Sequence, residues 1–417
     1  MDYFEYKNRR LFAEQVALGD IAEQVGTPCF VYSRATLERH WNAFNNAFGD
    51  YPHQICYAVK ANGNLAILNL LARLGSGFDI VSAGELMRVM ESGGDPAKTI
   101  FSGVCKQSWE IRNALEAGIH CFNIESEGEL QRISAIAGES GVQPRISIRI
   151  NPDVDAKTHP YISTGLRENK FGLSPAQALE IYTQASKDKN IQIHGVACHI
   201  GSQLTDLSPF KAALNRTLYF VGQLERIGIA ISHLDFGGGL GVRYRDEQPP
   251  SPDEYGQMLL DQLKPRARQI PVVIEPGRAI IANAGILLTR VHYIKKSDAS
   301  NFCIVDAGMN DLIRPALYQA YQEIVEVDKT GKVDPDVYDV VGPVCESSDF
   351  LGTQRRLSVA EDDLLAVRTT GAYAAVMSSN YNARPRPAEV MVDGDKFHVI
   401  KPRETVESLY QGEQILP

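Results

Sequence analysis

Ile55-Cys56-Tyr57-Ala58-Val59-Lys60, a short apolar run that ends on a cation, is the first of eight such runs between Tyr51 and Glu275. The others are Phe78 to Val81, Thr99 to Ser102, Cys121 to Ile124, Ile146 to Ile150, His194 to His199, Leu234 to Phe236 and Val272 to Glu275. Longer amphipathic stretches lie between them, including Leu65 to Arg73, Gly84 to Glu91, Glu129 to Ala137, Lys211 to Ile227 and Glu254 to Arg268. Runs too short for helices that alternate with helical periodicity spell repeated βα units. Eight of them between residues 51 and 275 fit an α/β fold built on a (β/α)8 TIM-type barrel, whose usual size is about 250 residues. An open doubly wound sheet is the alternative that periodicity leaves standing.

Beyond Ile280 the pattern changes to β-branched and aromatic runs separated by Gly, Pro and Asp: Gly285 to Tyr293, Phe302 to Asp306, Val337 to Val341, Leu364 to Val367, Glu389 to Val392 and Lys396 to Ile400. This predicts a C-terminal, mostly antiparallel β-domain. Phe30-Val31-Tyr32 is a further strand candidate, so the N-terminal segment is expected to join that domain. The expected division is a barrel over residues 36–284 and a β-domain formed by 1–35 and 285–417.

With 417 residues, 44% hydrophobic and 22% charged, the chain has the make-up of a globular protein large enough for two domains. A net charge of −9 argues against nucleic acid as a partner. No apolar stretch of membrane-spanning length and no signal-peptide pattern is found, so a cytoplasmic location is expected and no membrane partner. Seven cysteines form no C-x-x-C pair, and no helix carries a zincin-type histidine pair, so neither a disulfide framework nor a metal is expected. Each cysteine but Cys345 reads as a small buried hydrophobe.

Chemistry-bearing residues gather at the carboxyl ends of the runs. Lys60 ends the first, and His199 leads into Ile200-Gly201-Ser202-Gln203. Gly237-Gly238-Gly239 follows the seventh, and Glu275-Pro276-Gly277-Arg278 the eighth. In a barrel those ends form one face, so the clusters converge on one pocket. Taken alone, Lys60 is a solvated surface charge; in a mostly apolar, catalytic-face setting it is an amine able to deprotonate and form a Schiff base. The glycines are either a tight turn or, with Gly277 and Arg278, the bare N–H groups with which barrels hold phosphate. They are not a dinucleotide fingerprint, because the third glycine position falls on Val242. Glu275 is either a partner for Arg278 or a carboxylate that keeps a pyridinium nitrogen protonated. For His199 a core role and stacking on a flat ring are evenly matched.

The C-terminal region carries a second set. Arg314, in Arg314-Pro315-Ala316-Leu317-Tyr318, is either a surface residue or a guanidinium fork for a substrate carboxylate. Cys345-Glu346-Ser347-Ser348-Asp349 follows the turn Gly342-Pro343, which puts a thiol able to donate a proton in a loop. Gly371-Ala372-Tyr373 and Ser378-Ser379-Asn380-Tyr381-Asn382 form a polar, tyrosine-bearing stretch that lines a pocket or lies exposed.

Over nearly its whole length the chain resembles the diaminopimelate decarboxylases, among the alanine-racemase-like (fold type III) pyridoxal enzymes. The motifs that carry the resemblance are Tyr57-Ala58-Val59-Lys60-Ala61-Asn62, His199-Ile200-Gly201-Ser202-Gln203, Asp235-Phe236-Gly237-Gly238-Gly239-Leu240-Gly241, Glu275-Pro276-Gly277-Arg278, Cys345-Glu346-Ser347 and Gly371-Ala372-Tyr373. The resemblance implies pyridoxal 5'-phosphate as cofactor, held by Lys60 as a Schiff base with His199 stacked on its ring. It implies Ser202, Gly239, Gly277 and Arg278 at the phosphate and Glu275 at the pyridine nitrogen. Arg278, Arg314 and Tyr318 are then expected at the distal carboxylate of the substrate, Glu346 at its distal ammonium, and Tyr373 at both cofactor and substrate. Cys345 is expected to deliver the proton across a homodimer interface. The implied reaction takes meso-2,6-diaminopimelate to L-lysine and carbon dioxide, the last step of lysine biosynthesis. One departure is Gln322 after Tyr321, where the family pattern has histidine; it touches none of these roles.

Three rival readings remain open on sequence. A decarboxylase for ornithine, arginine or carboxynorspermidine would share Lys60 and Glu275 but would not need Arg314. A racemase fits the segment Cys345-Glu346-Ser347 less well. A non-catalytic regulatory homologue would be expected to lose Lys60 or Cys345.

Overall fold

The computed structural model describes residues 2–155, 170–266, 268–298, 300–329, 331 and 333–417. Strands His53–Ala58, Gly77–Ile80, Thr99–Phe101, Cys121–Ile124, Arg145–Ile150, Gln192–Cys198, His233–Asp235 and Val272–Ile274 run parallel and close into a barrel. Closure is made by Val272, Val273 and Ile274 of the eighth strand, which pair with His53, Gln54 and Ile55 of the first. That ladder decides against the open doubly wound sheet, which would keep two edges of unpaired backbone groups.

Burial on both faces explains why these strands read as continuous apolar runs. Tyr57, Phe78, Phe101 and Phe122 are each no more than 1% exposed, and full burial of such a side chain is worth roughly 1.5–3 kcal/mol. Asn64, Ser82, Ser126, Ser174 and Ser251 stand ahead of helices Leu65–Arg73, Ala83–Glu91, Glu127–Ser140, Pro175–Ala185 and Pro252–Leu263, and each accepts a backbone N–H with its side chain. Caps of this kind contribute about 1 kcal/mol each. They lie in the loops that leave the carboxyl ends of the strands, so the face that carries the chemistry is also the face where helix starts are pinned.

Residues Met1–Arg39, Arg243–Glu247 and Ile280–Pro417 form a second compact unit, distinct from His40–Val242 with Gln248–Ala279. Its larger sheet is organised by the long strand Gly285–Lys296, which pairs antiparallel with Asn301–Val305, with Leu364–Val367 and with Cys29–Ser33. The N-terminal segment therefore does enter this sheet. The sheet is mixed at two places: Cys29–Ser33 runs parallel to Ala388–Asp393, and Asn301–Val305 parallel to Asp336–Val341. Strand Phe350–Leu357 escaped the sequence reading because Gly352, Arg355 and Arg356 interrupt its apolar character. The small sheet of Phe4–Lys7, Arg10–Ala13 and Val16–Ala17 was hidden in the same way, by strands of two to four residues.

Two local expectations need correction. The first strand ends at Ala58, so Lys60 lies in a 3-10 turn, Val59–Ala61, two residues beyond the ladder. Cys105 is exposed and not a buried hydrophobe, since it falls in the loop after the third strand; Cys29, Cys56, Cys121, Cys198 and Cys303 are buried, and all seven thiols are unpaired.

Candidate active site

At the carboxyl ends of the barrel strands one lysine faces three acids. Lys60 Nζ lies 2.5 Å from Asp79 Oδ2, and its side chain is 40% exposed while that of Asp79 is fully buried. Asp79 comes from the second strand, Asp235 ends the seventh and Glu275 follows the eighth; all three are buried. Asp235 accepts hydrogen bonds from Asn123 Nδ2 and from the Gly237 N–H, each at 2.9 Å. Glu275 shares a side-chain hydrogen bond with Asp235, while its Oε1 is buried without a hydrogen-bond partner, as is Asp79 Oδ1. Burial first, and then the charges of Asp235 and Asp79, hold the Glu275 carboxyl well above its ordinary value, although Lys60 opposes the shift. A neutral Glu275 is the cheapest way to keep three acids beside one ammonium in a dry pocket.

The mostly apolar setting expected for Lys60 is therefore not what the fold provides; its amine is ion-paired. Asp79 is the functional candidate that sequence reasoning missed. The available signal was an acid inside the otherwise apolar strand Gly77-Phe78-Asp79-Ile80, a place where an unpaired charge is rarely tolerated.

His199 follows the sixth strand, and its Nδ1 accepts the Gly238 N–H at 3.2 Å. Burial, then the nearby cations Arg149 and Lys60, keep its pKa well below the ordinary imidazole value, so the ring is neutral. The ring packs so closely on the glycine turn that a Cβ on Gly237, at φ +63°, would stand 2.7 Å from Nδ1. A Cβ on Gly238 would stand 2.3 Å from the Glu275 carbonyl oxygen, and one on Gly239, at φ +116°, 2.5 Å from that of Gly201. The three glycines are thus required by backbone packing among the strand ends; the N–H groups of Gly237 and Gly238 are already engaged by Asp235 and His199, which leaves Gly239 as the phosphate candidate of the turn. Arg278, 5% exposed, donates from Nη2 to Ser202 Oγ at 3.0 Å. Gly277 is hemmed in by Ala58 and Ala61 of the first unit of the barrel. Lys60, His199, Ser202, Gly239, Glu275, Gly277 and Arg278 all belong to the barrel.

The second set lies in the other unit. Arg314, 8% exposed, opens the short helix Arg314–Tyr318, and its guanidinium stands 5.5 Å from the ring centre of Tyr244 and 5.6 Å from that of Tyr318. Cys345 and Glu346 are exposed neighbours on a loop. The Cys345 N–H donates to Asn382 Oδ1 at 2.7 Å, and Tyr381 donates its hydroxyl to Glu346 Oε1 at 2.6 Å. Buried Asp349 pins the base of that loop by accepting from the N–H groups of Val344 (2.7 Å) and Met309 (2.6 Å). The stretch from Ser378 to Asn382 is therefore the brace of the Cys345 loop, a relation that no spacing rule could show. Tyr373 adopts φ +57°, and its neighbour Gly371 has no room for a Cβ against the Ile281 carbonyl. Gln322 is fully buried with neither amide atom hydrogen bonded.

A family model described as "Pyridoxal-dependent decarboxylase, pyridoxal binding domain" matches residues 34–282. The chain is 59% identical over 418 residues to a diaminopimelate decarboxylase of Vibrio cholerae, covering 100% of both chains. Among solved structures it superposes on diaminopimelate decarboxylase from M. jannaschii in co-complex with L-lysine with a TM-score of 0.94 at 39% identity, covering 100% of this chain and 98% of that one. The enzyme from Helicobacter pylori complexed with L-lysine gives 0.91 at 42% identity, over 94% and 98% of the two chains.

Proposed function

This chain belongs to the diaminopimelate decarboxylases, within the pyridoxal-dependent decarboxylase family, and from that premise we propose that it converts meso-2,6-diaminopimelate to L-lysine and carbon dioxide with Lys60 as the cofactor-bearing residue. The observation that carries the reading is the buried acid cluster with one lysine. Glu275 Oε1 is unpartnered, and a cationic ring nitrogen is the donor that would satisfy it. Gly239 of the glycine turn and the Arg278–Ser202 pair are the groups suited to a phosphate. These residues fit pyridoxal 5'-phosphate.

Pyridoxal phosphate supplies the electron sink that accepts the pair left on the substrate carbon when its carboxylate departs. Glu275 holds a proton at the pyridine nitrogen, and this is the electrostatic work for which three facing acids are arranged. Asp79 keeps Lys60 oriented and gives its ammonium proton a place to go when the amine must act as a nucleophile. Neutral His199 offers a flat ring without competing charge. Arg278, Arg314 and Tyr318 bind the distal carboxylate, Glu346 the distal ammonium, and Tyr373 contacts both cofactor and substrate. Cys345 delivers a proton from Sγ to the carbon that lost carbon dioxide, and its thiolate is reprotonated from solvent.

The protein is further proposed to be a homodimer in which Cys345 and Glu346 serve the partner's pocket. The support is the presentation of an exposed thiol on a loop braced by Asn382, Tyr381 and Asp349. No described helix is long and apolar enough to cross a membrane; with the acidic composition and seven unpaired thiols, a cytoplasmic location is the consistent assignment.

Carbon dioxide release from a panel of amino acids tests the function. Diaminopimelate should be the preferred substrate, and ornithine and lysine poor ones, because they leave the arginines unpaired. Arg314→Ala should lower kcat/KM for diaminopimelate by about 2 to 5 kcal/mol; equal rates on ornithine would remove the substrate assignment while sparing the cofactor. Mixing inactive Lys60→Ala and Cys345→Ala protomers should restore part of the activity. Exchange of subunits without recovery would refute a shared site.

A further inference from the structure

At the opposite end of the barrel three histidines from separate strands meet. His120 immediately precedes the fourth strand, His194 lies in the sixth and His233 opens the seventh. One ring nitrogen from each lies within 4.8 Å of one from each of the others. The ring centres of His194 and His233 are 4.9 Å apart, those of His120 and His194 5.3 Å, and those of His120 and His233 5.7 Å.

Three features set this apart from a chance stack of rings. His233 is 3% exposed and its Nδ1 has no hydrogen-bond partner; Nδ1 of His194 is likewise buried and unpartnered. An orphaned nitrogen in a buried imidazole is costly unless something supplies its missing bond. Two of the other ring nitrogens are tied. His233 Nε2 lies 3.0 Å from Ser147 Oγ, and the His120 ring is hydrogen-bonded to the Ala97 backbone. In metal-binding imidazoles a partner of this kind on one nitrogen orients the ring so that the other is available to the ion. Third, the ladder between the fifth and sixth strands pairs Ile193 with Ile146 and Gly195 with Ser147, which leaves His194 as one extra, bulged residue. A bulge in a parallel pair is rare and re-aims a side chain. Gly195 beside it makes room for the neighbouring ring, since a Cβ there would stand 2.5 Å from His233 Nε2.

We propose that His120, His194 and His233 form a binding site for a divalent first-row transition metal of the zinc class, which staples the fourth, sixth and seventh strands together at the amino-terminal end of the barrel. Three neutral imidazoles suit zinc, cobalt or nickel and not calcium or magnesium, which demand oxygen ligands. Burial keeps the rings unprotonated and ready to ligate, with His194 lowered to about 4. Arg145 is the opposing charge nearby, but its side chain is exposed and screened by solvent. Metal–nitrogen distances near 2.1 Å in tetrahedral geometry correspond to nitrogens about 3.4 Å apart, so binding draws the three rings, now within 4.8 Å of one another, closer together. His120 and His194 are half-buried, which leaves a fourth position for water. The proposal does not depend on the decarboxylase reading, because it uses none of the residues assigned to that chemistry.

The test uses the full-length holoenzyme after removal of adventitious metal by chelator and dialysis. Titration with Co²⁺ alone should give one ion per chain with tetrahedral ligand-field absorption, and Zn²⁺ should raise the melting temperature. X-ray absorption of the zinc-loaded native protein should show three imidazoles and no sulfur in the first shell. His120→Gln and His194→Gln should each weaken Co²⁺ binding at least tenfold. The proposal is overturned if the native protein takes up no stoichiometric metal, if sulfur from Cys105 or Cys345 provides the ligands, or if both variants bind Co²⁺ as the native chain does. Should a variant fail to fold, the absorption spectrum of the native protein decides by itself.

Discussion

The two ends of the barrel are built from the same strands yet solve opposite electrostatic problems. Strand His233–Asp235 contributes His233 to the amino-terminal end and Asp235 to the carboxyl-terminal end, two residues apart and therefore on the same side of the strand. At the first end burial has produced a neutral cluster of imidazoles. At the second it has gathered Asp79, Asp235 and Glu275 around one lysine, an arrangement that burial alone opposes. A fold does not accumulate buried acids for stability, since removing charge from water is costly unless a partner repays it. The difference therefore marks the carboxyl-terminal end as the place where a positive charge is expected to arrive or develop, and the other end as a place to hold strands together.

The largest effect that would sharpen this contrast is on Lys60. Lys60→Ala should reduce turnover by more than about 10³-fold, the scale for loss of a covalent catalytic group, and borohydride should no longer fix the cofactor to the chain. Fixation to a different lysine in the native protein would break the assignment of the whole carboxyl-terminal cluster.

Acidity offers a subtler test. The Glu275 carboxyl is raised above its ordinary value of 4.5 in the folded chain, so the folded state keeps a proton that the unfolded state releases. Its contribution to stability is therefore full below pH 4.5 and lost as pH rises toward the folded value. For the cofactor-free protein, denaturant titrations should show stability falling by up to about 1.4 kcal/mol per pH unit above that point, the limit for one proton. Glu275→Gln should flatten the slope, and bound cofactor should also reduce it by supplying the missing cation. A slope unchanged in Glu275→Gln would mean that another group carries the strain.

The smallest effect expected is none at all. His120→Gln lies at the end of the barrel away from Lys60, and sites that share no partners act independently. Its kcat/KM should stay within about twofold of the native value. A large loss of turnover would erase the division of labour between the two ends.

Sequence by itself determined the eight βα units and the polarity of their ends, while closure into a barrel was decided by the ladder between the eighth and first strands. Eight apolar runs of strand length, with Lys60, His199, the glycine triplet and Glu275 at their carboxyl ends, require only the strand and helix periods and the rule that a barrel gathers those ends on one face. Gly237 to Gly239 were legible as a special turn because only glycine tolerates such close backbone approach. Tertiary structure decided everything that depends on which strands are neighbours. Asp79 meets Lys60 because the first and second strands pair, and Asn382 braces Cys345 although 37 residues separate them. His120, His194 and His233 carry no spacing motif, and the bulge that aims His194 exists only in the ladder with its neighbour. The physical reason is that periodicity is a local property of the chain. Charge compensation, hydrogen-bond braces and convergence of ligands are properties of distance, which are set only once the barrel closes and the second sheet forms around Gly285–Lys296.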